Sequence, residues 1–249
     1  MSRQIFPDRE SLIEGAATYI ADLAVKAIAD RGSFTLALSG GNTPRPIYAR
    51  LAVAPHLERI DWPHVQIFFG DERCVPPQDQ RSNYHMACGA LLDHVPIAGG
   101  NVHRIRGQDD PEKAAAQYIR ELESTFGGKS GAGAPHSGLD LILLGMGDNG
   151  HTASIFPGLP AVTERSRWVM AQYVEVMSMW RVTMTPPLIN AARNVAFMVS
   201  GADKADMLSR VLEGPYQPVV LPSQSIKPAN GELRWLLDAP AAARLRKSA

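Results

Sequence analysis

Cysteine is scarce. The 249-residue chain holds two, Cys74 and Cys88, and no C-x-x-C. That excludes a disulfide framework and fits a reduced, cytoplasmic setting. Cys74 follows Asp71-Glu72-Arg73 and reads either as a reactive thiol or as a small semi-buried side chain. Excess charge is missing too: 25 basic residues balance 25 acidic ones. No nucleic-acid partner is expected without a basic surplus, although basic residues can still gather around a small anion. No apolar run reaches about 18 residues, and the opening "MSRQIFPDRE" is polar, so neither a membrane span nor a signal region is expected. His85, His94, His103 and His136 lack metal-ligand spacing to acids or cysteines. There is no Gly-x-Ser-x-Gly elbow, and the glycine turn after "LALS" lacks the Lys-Ser/Thr of a P-loop.

What is present is an alternation. Apolar residues make up 45% of the chain and charged residues 20%, an ordinary globular balance. No internal repeat stands out. "SLIEGAATYIADLAVKAIADRG", "PEKAAAQYIRELESTF" and "ADKADMLSRVLEG" have helical spacing, the second with Asp110 as cap and Pro111 in the first turn. "FTLALSGG", "HVQIFFGDER", "LDLILLGMG" and "NVAFMVSG" are short apolar runs closed by glycine, as expected of strands covered on both faces. The Gly/Ser/Ala-rich segment 127–138 reads as a surface loop joining a helix to a central strand. The expected fold is α/β: one domain over 1–249, a doubly wound, mostly parallel sheet with helices on both faces.

In such sheets ligands bind beyond the carboxyl ends of the strands. Ser39-Gly40-Gly41-Asn42-Thr43 leads into Pro44. It reads as a phosphate cradle at a helix start, with Thr43 as cap, or as a plain tight turn. Asp71, Glu72 and Arg73 follow a buried strand. They read as a substrate-orienting acid with an anion-binding arginine, or as a solvated turn. Lys204 sits near a helix start, where a cation opposes the helix dipole unless an anion compensates. Arg181, in "MWRVTMT", is a second candidate for an anion, or a surface ion pair.

"LILLGMGDNGHTASIFPG", 141–158, matches G-x-G-x-x-G at Gly145, Gly147 and Gly150. A dinucleotide turn must open a long helix and be followed by an acid about 20 residues on. Here Pro157-Gly158 stops the segment early, and neither Glu164 nor Glu175 clearly ends a strand. The glycines read instead as a tight turn presenting His151, whose ordinary pKa near 6.5 suits acid–base work.

Taken together, "LSGGNTP", "GDER", "RSNY", "GMGDNGHTASIFPG", "WRVTMT" and "SGADK" resemble the 6-phosphogluconolactonases, in order along nearly the whole chain. The resemblance implies a fold related to glucosamine-6-phosphate deaminase and ribose-5-phosphate isomerase. It implies hydrolysis of 6-phospho-D-glucono-1,5-lactone to 6-phospho-D-gluconate, the second step of the oxidative pentose phosphate pathway, with no cofactor and no metal, by a monomer or small homo-oligomer. By resemblance His151 is the general base that activates water, and its protonation is expected to slow the enzyme below about pH 6. Asp71 is its supporting acid or a substrate-orienting group. Gly40, Gly41, Asn42 and Thr43 form the phosphate loop. Arg73, Arg181 and Lys204 are the cations around the phosphate and the reacting carbon, in an order left open. Asn149 departs from the family, which commonly has an acid there. A deaminase of the same fold would carry "DEY" and "GHIAFNEP", where this chain has Arg73 and Ser154-Ile155-Phe156-Pro157.

Overall fold

Four apolar runs become neighbouring strands of one sheet. The computed structural model describes residues 1–246. Among them, β1 (Ser2–Phe6), β9 (Glu232–Asp238), β8 (Asn194–Val199), β5 (Leu141–Leu144), β2 (Phe34–Leu38) and β3 (Val65–Phe69) lie side by side in that order, all parallel. β2 and β5 are buried from end to end. That explains their unbroken apolar character, since both faces of a parallel sheet are covered. From β2 the chain moves outward to β3, then returns to the other side of β2 with β5. The strand order therefore reverses between β2 and β5, and ligands favour the crevice at such a point. Among the described residues no helix is long and apolar enough to cross a membrane.

The first helix, α1 (Arg9–Arg31), starts where Asp8 accepts a hydrogen bond from Ser11 N at 2.8 Å and ends at Gly32, which takes the left-handed conformation at φ 78°. It buries Leu12, Ala16, Ile20, Ala24 and Ala27. That mostly small stripe at helical spacing lets the helix lie close on the sheet. The helix Pro111–Phe126 begins as expected, with Asp110 accepting from Lys113 N and Pro111 in the first turn. The segment 127–138 joins its end to β5.

Two buried tyrosines close off strand ends. The Tyr48 hydroxyl, on α2 (Pro44–Leu51), accepts from Ser39 N at 2.8 Å and donates to Ser39 O at 2.9 Å. The Tyr118 hydroxyl does the same for both backbone groups of Phe69. Burial holds both phenols above their ordinary pKa, so each keeps the proton it donates. The loops after β2 and β3 thus leave the sheet from fixed, fully bonded points.

A second sheet was not legible in the sequence. β4 (Asp71–Arg73), β7 (Met179–Met184) and β6 (Val169–Val174) form an antiparallel sheet in the order β4-β7-β6. "DER", read as a possible solvated turn, is a strand in which Asp71 and Glu72 are buried. Gly70 is the joint: its N–H donates to Leu38 O of the large sheet, and its carbonyl accepts from Met184 N.

Candidate active site

The carboxyl ends of β2, β5 and β8 and the small sheet enclose a cleft of about 740 Å³. Every residue given a catalytic or substrate-binding role by the resemblance lines it: Gly40, Gly41, Asn42, Thr43, Asp71, Arg73, His151, Arg181 and Lys204. Residues up to 164 positions apart in the chain are thereby brought to one crevice.

The glycine turn serves His151, as expected. No helix follows Gly150 directly, and the next begins at Pro160. Gly147 N donates to His151 O at 2.9 Å, and Gly150 N donates to Gly147 O at 3.0 Å. A Cβ on Gly147 would fall 1.9 Å from the imidazole Cε1, so the ring can lie over this turn only because residue 147 has no side chain. The other ring face stacks on Phe156, with centroids 4.1 Å apart. Asn149 Oδ1 lies 2.6 Å from His151 Nδ1. Burial, assisted by Arg181 and Lys204 and opposed by Asp71 and Asp148, lowers the imidazole pKa to about 4. The ring is neutral at physiological pH. Protonation of this ring therefore falls near pH 4, not near the ordinary value of about 6.5.

Asp71 does not hydrogen-bond the imidazole. Its Oδ2 accepts from Ser154 Oγ at 2.5 Å and lies 3.8 Å from Arg181 Nη1, while its Oδ1 accepts from Asn83 Nδ2 at 3.1 Å. Asn83, in "RSNY", also fills the space beside Gly40, where a Cβ would meet Asn83 Oδ1 at 1.9 Å. Burial pulls Arg181 below its ordinary pKa, and Asp71 counters the loss. Glu72, next door, has another duty. It accepts from Arg73 N, Asn83 N, Tyr84 N and the Ser82 hydroxyl, while burial raises its pKa. A carboxylate with four donors fastens β4 to the helix Asn83–Ala90 and leaves little for a substrate. Cys74 is the structural alternative of the two: burial pushes its thiol up to about 11, far from a thiolate at neutral pH.

On the opposite wall Gly41 has φ 108°, and Thr43 precedes α2 without capping it through its side chain. The expected Thr43 cap is absent, and of the first three helical residues only Arg45 has a backbone N–H to offer, because Pro44 and Pro46 have none. Lys204 stands at the start of the helix Ala205–Glu213, as read from the sequence. The anion that compensates it here is Asp148, hydrogen-bonded to its Nζ, with Asp203 at 3.7 Å. Asp238 clamps the loop before Lys204 by accepting from Ser200 Oγ and Gly201 N.

Arg9 was missed by the sequence reading. It lines the cleft, and its guanidinium donates to Asn42 O at 3.1 Å. Arg73 likewise donates to a carbonyl, that of Arg81. Among the described residues neither forms an ion pair with a carboxylate, so both keep positive charge for a ligand. Arg9 carried no local signal, because α1 begins far upstream of every glycine turn. Among the described residues, no group of three or more His, Cys, Asp or Glu could hold a metal ion.

Comparison with known proteins agrees with this geometry. A family model described as glucosamine-6-phosphate isomerases/6-phosphogluconolactonase matches residues 7–235. A Synechocystis protein named 6-phosphogluconolactonase is 41% identical over 240 residues, covering 96% of each chain. One from Haemophilus influenzae is 36% identical over 210 residues, 84% of this chain and 86% of that one. Among solved structures, 6-phosphogluconolactonase from Trypanosoma brucei superposes with a TM-score of 0.85 at 30% identity over 98% of both chains. A monomeric glucosamine-6-phosphate deaminase superposes at 0.80 over 98% of this chain and 100% of its own, but at 22% identity it shares the fold alone.

Proposed function

The chain belongs to the family of glucosamine-6-phosphate isomerases and 6-phosphogluconolactonases, and from that premise we propose that it hydrolyses 6-phospho-D-glucono-1,5-lactone to 6-phospho-D-gluconate as a single α/β domain. The observation that carries this reading is a neutral imidazole inside a cleft ringed by cations. Lactone opening needs a proton acceptor for water, charge for a developing oxyanion and a seat for a phosphate.

Neutral His151 takes a proton from water as the water oxygen attacks lactone C1. Negative charge builds on the carbonyl oxygen and is met by the buried guanidinium of Arg181 or by Arg73. The tetrahedral intermediate expels the ring oxygen, which receives the proton back from His151. Asp71 holds Arg181 and Ser154 in place and orients the substrate. The phosphate sits against Gly40, Gly41, Asn42 and Thr43, with Lys204 and Arg9 beside it. Its binding energy holds the remote lactone carbon at the base.

The test is a coupled assay. Glucose-6-phosphate dehydrogenase generates the lactone, and 6-phosphogluconate dehydrogenase reports the product as NADPH. The wild type is expected to exceed the uncatalysed rate, and His151→Ala to fall to it or near it while remaining folded. A wild type no faster than the blank overturns the lactonase reading. An active His151→Ala overturns the assignment of the base.

A further inference from the structure

Asn149 is the closest polar partner of the imidazole, and the direction of its amide is settled by a second contact. Its Oδ1 accepts a hydrogen bond from His151 N at 3.2 Å. A backbone N–H can only donate, so the oxygen, not the NH2, faces this group. The same oxygen lies 2.6 Å from Nδ1, which must therefore carry a hydrogen. In a neutral ring the other nitrogen, Nε2, is then bare.

We infer that Asn149 is a positioning residue: its side-chain oxygen fixes the proton of His151 on Nδ1 and leaves Nε2 as the acceptor that meets the water. The inference rests on the lactonase reading for its catalytic consequence but not for its geometry. It also explains what an amide does at a position where a carboxylate would make the same hydrogen bond. Both hold the ring and select the tautomer. Only the carboxylate would add charge that stabilises the imidazolium and retains the proton. Of the charged groups acting on the ring, Asp71 on β4 and Asp148 on its own turn favour protonation, while Arg181 on β7 and Lys204 oppose it. Phe156 covers one face and adds no charge. The neutral amide keeps His151 available as a base into acid solution.

Two measurements test this on the intact protein. Long-range 1H–15N correlation without substrate is expected to show His151 in the Nδ1–H form at pH 7 and bare at Nε2. An Nε2–H form, or an even mixture, overturns the inference. Asn149→Asp is expected to raise the His151 titration midpoint by about one pH unit or more and to carry the acid limb of kcat/KM with it. An unmoved midpoint in a folded Asn149→Asp also overturns it. Asn149→Leu, which keeps the volume and removes the acceptor, is expected to lose the Nδ1–H preference and to lower kcat about ten-fold or more with little change in KM. If the wild type shows the Nδ1–H form but no lactonase activity, the functional reading fails and the geometry stands. If it is active with an Nε2–H ring, the reverse holds.

Discussion

The two sheets divide the labour unequally. In the large parallel sheet the interior strands bury apolar side chains almost throughout, and most polar residues of the cleft lie at or beyond the strand ends. In the small antiparallel sheet the strands themselves carry buried polar groups: Asp71, Glu72, Gln172, Arg181 and Thr183. Each of these has a partner. The Gln172 side chain, for example, donates to Ser154 O at 2.5 Å and accepts from Ala161 N at 3.1 Å, bracing the turn that follows His151. The large sheet holds the molecule together through burial, whereas the small one is a polar lattice that holds reacting groups at fixed separations.

Substitutions can separate these duties. The largest effect is expected at His151, on a loop of neither sheet: His151→Ala should lower kcat about 10²–10⁴-fold. Its urea midpoint should stay close to that of the wild type. Leu143→Ala, in the fully buried centre of β5, should do the opposite. It should cost about 2–5 kcal/mol in urea denaturation and leave kcat per folded molecule intact. Glu72→Gln tests whether a small-sheet residue can be pure scaffold. It turns an NH2 group against N–H donors and should cost about 1–3 kcal/mol. A loss of rate without a loss of stability would return Glu72 to the chemistry. Arg9→Ala should raise KM for the phospholactone about ten-fold with kcat nearly unchanged, and should leave hydrolysis of unphosphorylated gluconolactone untouched.

The smallest effect is a near-absence of pH dependence. With the imidazole held near 4, kcat/KM should change less than about twofold between pH 7 and pH 5.5 and fall steeply only below about 4.5. The corresponding stability term has a definite sign. The unfolded chain takes up a proton at this histidine below about pH 6.5, while the folded one resists until about 4. His151 therefore costs stability as pH falls through that window, and His151→Ala should flatten that part of the urea-midpoint profile.

The same division decided what could be read from the sequence. β2, β3, β5 and β8 were plain because a strand covered on both faces needs apolar residues at every position. β4 was obscured because its inward side chains are charged yet bonded, and a three-residue strand such as "DER" has no periodicity to detect. β1 and β9 were missed at the sheet's other end, where β1 is only half-covered. The cleft residues were legible because glycine turns after apolar runs mark the carboxyl edge of a parallel sheet. Arg9 was not, because its approach to Asn42 depends on how α1 packs. The hydrogen-bond partners of Asp71 were not legible for a related reason. Its carboxylate is spent on Ser154, Asn83 and Arg181, and the imidazole is held by its neighbour at 149.

The pairing of β1 with β9 sets a timetable. Ser2 lies opposite Arg234 and Phe6 opposite Asp238, so β1 leaves the ribosome well over 200 residues before the strand it pairs with. At roughly 5–20 residues per second the wait is on the order of tens of seconds. During that time the interior strands can already assemble, but the loop before Lys204 has no Asp238 to clamp it. The outer wall of the cleft is thus a late event in the life of each molecule, and a nascent chain halted before residue 232 would carry the imidazole and the glycine turns without the finished crevice that uses them.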